Sequence, residues 1–496
     1  MLKLETNFLL FSDINFLSFL IGNLLIGNFI LFVWPNYDKK YIKIFSLSFL
    51  FYIFFISLFL LIKFDNSTSK FQFVVNFLWL NSLNINCIFG IDGISLFLVL
   101  LTTLLFPLCL LSNWNSINFR IKEYLMCFFF METLLICVFC VLDLFLFYIF
   151  FEGILIPMFI LIGIWGSRER KIRASFLFFL YTLLGSLLML LGIIYIFLKT
   201  GTTNYEILKT INFTNLEQKL LWLSFFASFA TKIPMLPMHI WLPEAHVEAP
   251  TSGSVILAGI LLKLGTYGFL RFSLPLFPIA SYYFSPLIFS ISTLGVIYTS
   301  FTAIRQTDLK RIIAYSSIAH MNLVMMGLFS YTLTGLEGAI LQSLSHGFVS
   351  SALFLCIGIL YDRYHTRMIK YYSGLVHIMP LTMIILLFFT MANIGLPGTS
   401  SFVGEFLILS GLYKTNTIVT FFGATGMILG GVYSLWLFNR ISYGNLKTQF
   451  IGFKFLDINK NEFYSLLPLI VGTLFMGIYP EFFLETMHMS LINFIV

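Results

Sequence analysis

The chain is divided at short intervals by apolar runs of about 20 residues, the length that a helix rising 1.5 Å per residue needs to cross ~30 Å of hydrocarbon. They fall at 14-34, 44-63, 88-111, 121-142, 143-165, 174-197, 219-240, 251-272, 283-303, 310-330, 335-360, 375-396 with a continuation at 402-413, 417-438 and 463-485. Charge, proline or asparagine clusters bound each run. Inside a bilayer each backbone donor and acceptor has to be satisfied by the protein itself, which leaves helices as the reading for segments of this length. The expected fold is therefore an all-α polytopic membrane protein of about 14 transmembrane helices. Composition excludes a soluble alternative, because only 10% of the 496 residues are charged and 59% are hydrophobic. So few charges cannot cover a globular exterior in water. The formal charge of +7 is no sign of a nucleic-acid partner; its distribution carries the information.

With 14 spans, nineteen of the 29 lysines and arginines fall in loops that follow odd-numbered spans, among them Lys39, Arg120, Arg168, Lys310, Arg367 and Lys454. Eight, including Lys3, Lys199, Arg271 and Lys414, fall on the other side, and two are left inside the membrane. By the positive-inside rule the odd-to-even loops face the cytoplasm or matrix, and both termini the opposite side.

The two cations kept inside are Lys232 and Lys263, each midway along its run, and Glu152 lies at a similar depth in 143-165. A charge at the centre of a membrane helix costs about 2.5 to 3.5 kcal/mol on insertion scales, so such residues need a compensating role. A structural ion pair is the plain alternative, but one acid against two lysines leaves a cation unmatched. Ionisable groups at this depth mark ion or proton pathways. Lys232 is followed by Pro234, Pro237, Pro243 and Pro250, which break a continuous helix. A comparable break comes at Gly395, Pro397 and Gly398, with Glu405 just beyond it. Interrupted spans in corresponding positions point to an inverted-repeat transporter. The resulting division is 1-120 for helices 1 to 3, 121-272 and 283-440 for two inverted five-helix repeats, and 441-496 for a loop and the last helix. Two unrelated proline kinks would give the same local pattern.

His320 and His346 fall midway along their spans, the latter among Ser343, Ser345 and Ser350. An imidazole titrates near neutrality, and hydroxyls beside it can hold water. Hydrogen-bonded packing histidines are the alternative. His239, His246, His365, His377 and His488 receive no role. Cys137 and Cys140 make one C-x-x-C inside an apolar run, without a second pair to complete a zinc or cluster site, and read as small buried hydrophobes.

Several segments resemble a known family: TKIPMLPMHIWLPEAHVEAPTSGSVILAGILLKLGTYGFLRF, IAYSSIAHMNLV, SLSHGFVSSALF, LPGTSSFVGEFLIL, FGIDGISLF and YDRYHTR. They are similar to the antiporter-like membrane subunits of mitochondrial NADH:ubiquinone oxidoreductase, respiratory complex I. The resemblance implies fourteen helices in two inverted five-helix repeats with interrupted helices 7 and 12. It also implies that Glu152 and Lys232 form a coupled pair, that Lys263 connects the two halves, that His320 and His346 relay protons, and that Glu405 is the terminal acid. Proton translocation coupled remotely to quinone reduction follows, the chain being a non-redox subunit of the enzyme. NADH, FMN, iron-sulfur clusters and ubiquinone are then expected in partner subunits, with no cofactor or metal in this chain. Its expected partners are other membrane-arm subunits, including neighbouring antiporter-like ones, and phospholipids, among them cardiolipin. The expected location is the mitochondrial inner membrane, with termini on the intermembrane-space side. A subunit of a multi-subunit cation/proton antiporter is the competing reading, and a purely structural anchor a third.

Overall fold

The computed structural model describes residues 15–35, 38–80, 84–447 and 456–495. Residue 14 of the first run and Lys3 and Lys454 of the loop cations lie outside the described residues. Eleven helices among the described residues are long and apolar enough to cross a membrane. They are α1 (Phe16–Val33), α2 (Lys39–Lys63), α3 (Gly93–Ser112), α4 (Ile121–Cys140), α5 (Leu144–Trp165) and α6 (Lys171–Thr200). After the seventh span come α8 (Thr251–Leu276), α9 (Ser285–Arg305), α11 (Leu333–Tyr364), α13 (Thr417–Ser442) and α14 (Lys460–Ile478). The other three expected spans are helical but divided or more polar. The seventh is α7a (Asn215–Lys232) and α7b (Trp241–Glu248). The tenth is α10 (Leu309–Leu328), and the twelfth is α12a (Pro380–Ile394) and α12b (Ser400–Tyr413). A final helix, α15 (Glu481–Ile495), follows α14.

The expectation of helices alone needs one correction. Residues assigned to the start of the third span belong to a hairpin, β1 (Gln72–Leu80) paired antiparallel with β2 (Ile85–Ile91). Hydropathy cannot separate an apolar strand from the end of an apolar helix. The helix begins where Asp92 and Ser95 form reciprocal caps, the Asp92 carboxylate accepting from Ser95 N at 3.0 Å and Ser95 Oγ accepting from Asp92 N at 3.0 Å. Asp143 does the same for α5, accepting from the amides of Phe145 and Leu146 and from Thr203 Oγ1 at 2.6 Å.

Hydrogen bonds between loops show how the spans alternate. On one face, Leu142 N donates to Ile88 O and Leu144 N to Thr203 O, joining the hairpin and two even-to-odd loops. On the other, the ammonium of Lys43 binds Trp114 O at 2.7 Å, Trp165 Nε1 binds Phe119 O at 2.9 Å, and Ser167 N binds Glu248 O at 3.0 Å. Lys310 reaches Ala249 O at 2.9 Å, Leu309 N reaches Arg367 O at 3.0 Å, and Gly374 N reaches Tyr443 O at 3.1 Å. All the odd-to-even loops are thereby sewn into one surface, as an even alternation of spans requires. The most apolar stretches of α8 and α11 are 100% and 94% buried, whereas those of α1, α13 and α14 are 28% buried. The centre thus lies around α8 and α11, with the outer helices turning Phe29, Leu198, Ile428 and similar side chains outward.

Burial also corrects the division of cations. Arg271, Lys310 and Arg367 were expected in loops, yet they are as buried as Lys232 and Lys263. Arg271 sits 2.6 Å from Asp92 and is flanked by the rings of Phe71, Tyr205 and Tyr267. Arg367 faces Glu248 at 3.6 Å. Partner groups supplied by other helices and loops are what make that burial tolerable.

Candidate functional site

The break at the end of α7a follows from prolines that cannot donate. Pro234 would have bonded Ala230 O, and Met235 N takes that carbonyl instead at 3.0 Å. Thr231 O, the next carbonyl left free, accepts from the Trp241 indole at 2.9 Å. Lys232 is the last residue of α7a, so the helix ends at the ammonium-bearing residue itself. Its Nζ stands 4.5 Å from the centre of the Phe151 ring, which neighbours Glu152 on α5. Glu152 and Lys232 feel each other electrostatically, and Ser186 of α6 lies beside the carboxyl. No ion-pair contact joins the two among the described residues, and Lys232 Nζ makes no hydrogen bond to protein. The two residues are electrostatic neighbours without a direct contact.

Lys263 lies on α8 between two π-helical turns, Leu257–Leu261 and Phe269–Ser273. Such turns leave carbonyls free for side chains and recur at functional positions. Lys263 Nζ donates to Ala258 O at 2.6 Å, inside the first of them, and contacts His346 Nδ1 of α11 at 2.9 Å. The His346 and His320 rings are 5.9 Å apart. His320 Nδ1 on α10 is 3.1 Å from Glu405 Oε1 on α12b. Lys263, His346, His320 and Glu405 therefore form one line across four helices.

Gln342, which the sequence did not single out, organises the far end. Ser345 Oγ donates to its Oε1 at 3.0 Å, which turns Nε2 toward Glu405 Oε1 at 3.1 Å and His320 Nδ1 at 3.4 Å. The signal was present: Gln342 stands one helical turn before His346 and so shares its face. α12b comes this close because Gly404 lies against Gln342, where a β-carbon would sit 2.8 Å from the Gln342 Cα. Small residues at a membrane helix interface permit such an approach. Gly395 ends α12a at φ +87°, and a β-carbon there would be 2.9 Å from Glu405 Oε2. His320, Asn393, Glu405 and Tyr433 line a cavity of about 20 Å³, room for about one water.

All six residues singled out in the sequence line the interior, in two groups. Four are linked side by side, while Glu152 and Lys232 form a separate neighbouring pair. No direct hydrogen bond connects Lys232 to Lys263 among the described residues, although α7a packs along α8 with Ile233 against Gly265. Buried acids, amines and imidazoles so arranged, with direct contacts at Lys263–His346 and His320–Glu405, can store a proton and hand it on.

Residues 141–430 match the family model described as NADH:quinone oxidoreductase/Mrp antiporter, TM. The chain belongs to this antiporter-like family. Among its relatives, NADH-ubiquinone oxidoreductase chain 4 of Marchantia polymorpha is 59% identical over 471 residues, covering 95% of each chain. The chain of that description from Arabidopsis thaliana is 57% identical, again over 95% of each. A chain of respiratory complex I from Thermus thermophilus superimposes with a TM-score of 0.88 at 28% identity, over 97% of this chain and 99% of that one. A chain of the Mrp complex from Dietzia sp. DQ12-45-1b has a TM-score of 0.84 at 20% identity, over 97% of both, a likeness of fold alone. Both of these high-identity relatives are NADH-ubiquinone oxidoreductase chains.

Proposed function

We propose that the chain is the proton-translocating, antiporter-like membrane subunit of mitochondrial NADH:ubiquinone oxidoreductase corresponding to chain 4. The continuous line Lys263–His346–His320–Glu405, with Glu152 and Lys232 beside it, is the observation that carries the reading. Glu152 and Lys232 hold the first charge of the path. The absence of a direct contact leaves room for the pair to close and open, and closing raises the ammonium's hold on its proton while opening lowers it. Lys263 receives the proton and exchanges it with His346; His320 and Glu405 hold it at the far end. Two contacts, Lys263–His346 and His320–Glu405, each need a proton between their atoms, so moving one along the line alternates which contact is protonated.

The redox chemistry belongs in this reading to partner subunits carrying NADH, FMN, iron-sulfur clusters and ubiquinone, and this chain serves as their non-redox translocase. Its partners are the adjoining membrane-arm subunits and inner-membrane phospholipids, cardiolipin included. The cation-rich face sewn from odd-to-even loops is read as the matrix face, which puts both termini toward the intermembrane space. Residues 121-272 and 283-440 are read as the two inverted repeats, each with one divided helix. The high identity to chain 4 relatives favours this function over a cation/proton antiporter subunit.

The test is proton uptake per NADH oxidised by vesicles containing the assembled complex. Lys232→Ala and Glu405→Ala are expected to lower that ratio while a native gel still shows the chain in a large NADH-oxidising assembly. A full ratio in both assembled variants would remove these residues from the path. Migration of the native chain in a smaller assembly, with sodium-dependent proton exchange, would instead support the antiporter.

A further inference from the structure

Glu405 lies just beyond the break of the twelfth span, and the half-helix before that break, α12a, has no cap of its own. Met379 stands at its N-cap without a side-chain hydrogen bond, and Pro380 follows as the first helical residue. The amides of Leu381 and Thr382 therefore need acceptors from elsewhere. Asp457, in the loop before α14, supplies both: Oδ2 accepts from Leu381 N at 2.7 Å and Oδ1 from Thr382 N at 3.2 Å. Oδ1 also accepts from Ile458 N at 2.9 Å, which fixes the carboxylate within its own loop. That loop is tied to α11. Arg363, in the last turn of α11, donates from Nε to Leu456 O and from Nη2 to Asp457 O, both at 3.0 Å. Its fork also holds Glu462 of α14 at 3.1 and 2.8 Å. Arg363 and Asp457 thus join the loop-face ends of α11 and α12a, and these two helices border the proton line. Gln342 and His346 stand on α11. At the far end of α12a, Asn393 lines the cavity beside Glu405, and Gly395 abuts Glu405 Oε2. Ser401 of α12b donates its hydroxyl to Ala392 O, joining the two half-helices across the break.

We propose that Asp457 is a positioning residue for proton transfer: together with Arg363 it sets where α12a ends, and through that end the placement of Glu405 against His320 and Gln342. The hydrogen-bonded helix carries a displacement at Leu381 and Thr382 along its whole length, about 22 Å for 15 residues at 1.5 Å each. Glu405 Oε1 is 3.1 Å from His320 Nδ1 and 3.1 Å from Gln342 Nε2. Contacts at that distance are lost as hydrogen bonds when one partner withdraws by about 1 Å. A carboxylate supplied by a remote loop also binds α12a to α11 and α14, which a side chain at residue 379 would not do. The competing role is capping alone, which stabilises the half-helix and leaves Glu405 unaffected.

This role rests on the proposed function, so Glu405→Ala is measured in parallel; native uptake there would overturn the path itself. Asp457→Ala and Asp457→Asn are compared with the native chain in vesicles containing the assembled complex, and the rate of coupled proton uptake is followed against pH. Asp457→Ala is expected to slow uptake about tenfold, the scale of effect that a misplacement of about 1 Å produces. Its pH profile should also shift, because Glu405 then titrates at altered distances from His320 of α10 and Tyr433 of α13, which line the same cavity. Asp457→Asn keeps one acceptor oxygen and is expected to recover part of the rate. Capping alone would lower the amount of assembled chain while the complex that does assemble keeps the native rate and pH profile, and that result would overturn the proposal. If Asp457→Ala does not assemble, Arg363→Lys decides the matter, because it keeps the charge and loses the fork that holds the loop. A slower rate with a shifted profile in that variant is the expected result, and a native rate and profile would rule the positioning role out.

Discussion

At the level of single residues, the site depends on side chains that fix one another's direction. Gln342 donates to Glu405 and lies beside His320 because Ser345 occupies its carbonyl oxygen. Gln342→Leu is expected to leave the buried Glu405 oxygen short of a donor, at about 1–3 kcal/mol. Proton uptake by the assembled complex should slow; an unchanged rate would take Gln342 out of the site. Gly395→Ala should disturb the same carboxyl from the other side, since a side chain at φ +87° costs about 1–2 kcal/mol and its β-carbon would press on Glu405 Oε2. Lower thermal stability together with slower uptake is the expected result, and an unaltered midpoint would contradict the close approach. Glu152, Lys232, Lys263, His320, His346 and Glu405 were legible in the sequence because charge and imidazole are rare at membrane depth. Gln342 offered only a weaker signal, its place on the face of His346, since an amide costs less to bury and its partners come from other helices.

At the level of elements, the divided seventh and twelfth spans could be anticipated from proline and glycine, whereas the irregular eighth could not. No proline lies inside its π-helical turns, and the Lys263 bond to Ala258 O becomes visible only in the folded helix. The seventh span's break is held by the Trp241 indole on Thr231 O. Trp241→Phe keeps the ring and removes the donor, which leaves that buried carbonyl unsatisfied at about 1–3 kcal/mol. The solubilised complex should then lose this chain at a lower temperature than the native form, and equal retention would show that another donor takes the carbonyl. The β1–β2 hairpin escaped notice for a different reason: its apolar residues continue without a break into α3, and only the Asp92–Ser95 cap marks the change.

For the molecule as a whole, buried ions join segments far apart in sequence. Asp92, at the start of α3, holds Arg271 near the end of α8 within a cage of Phe71, Tyr205 and Tyr267. Removing one partner of a buried pair costs about 3–5 kcal/mol, because the other charge stays behind without compensation. Asp92→Asn should therefore lower the amount of chain in the assembled complex, and replacing both partners with apolar residues should restore part of it. If the double substitution is no better than Asp92→Asn alone, the pair is not the cause. The helical membrane class, the alternation of spans, the excess of cations on one face and the six interior titratable residues follow from sequence, because membrane length and the cost of burying charge act on local stretches of chain. Which loop cations are buried, which imidazole meets which carboxyl, and which amide turns toward Glu405 depend on side chains brought together from different spans. Those contacts are set by helix packing, and only the tertiary structure decides them.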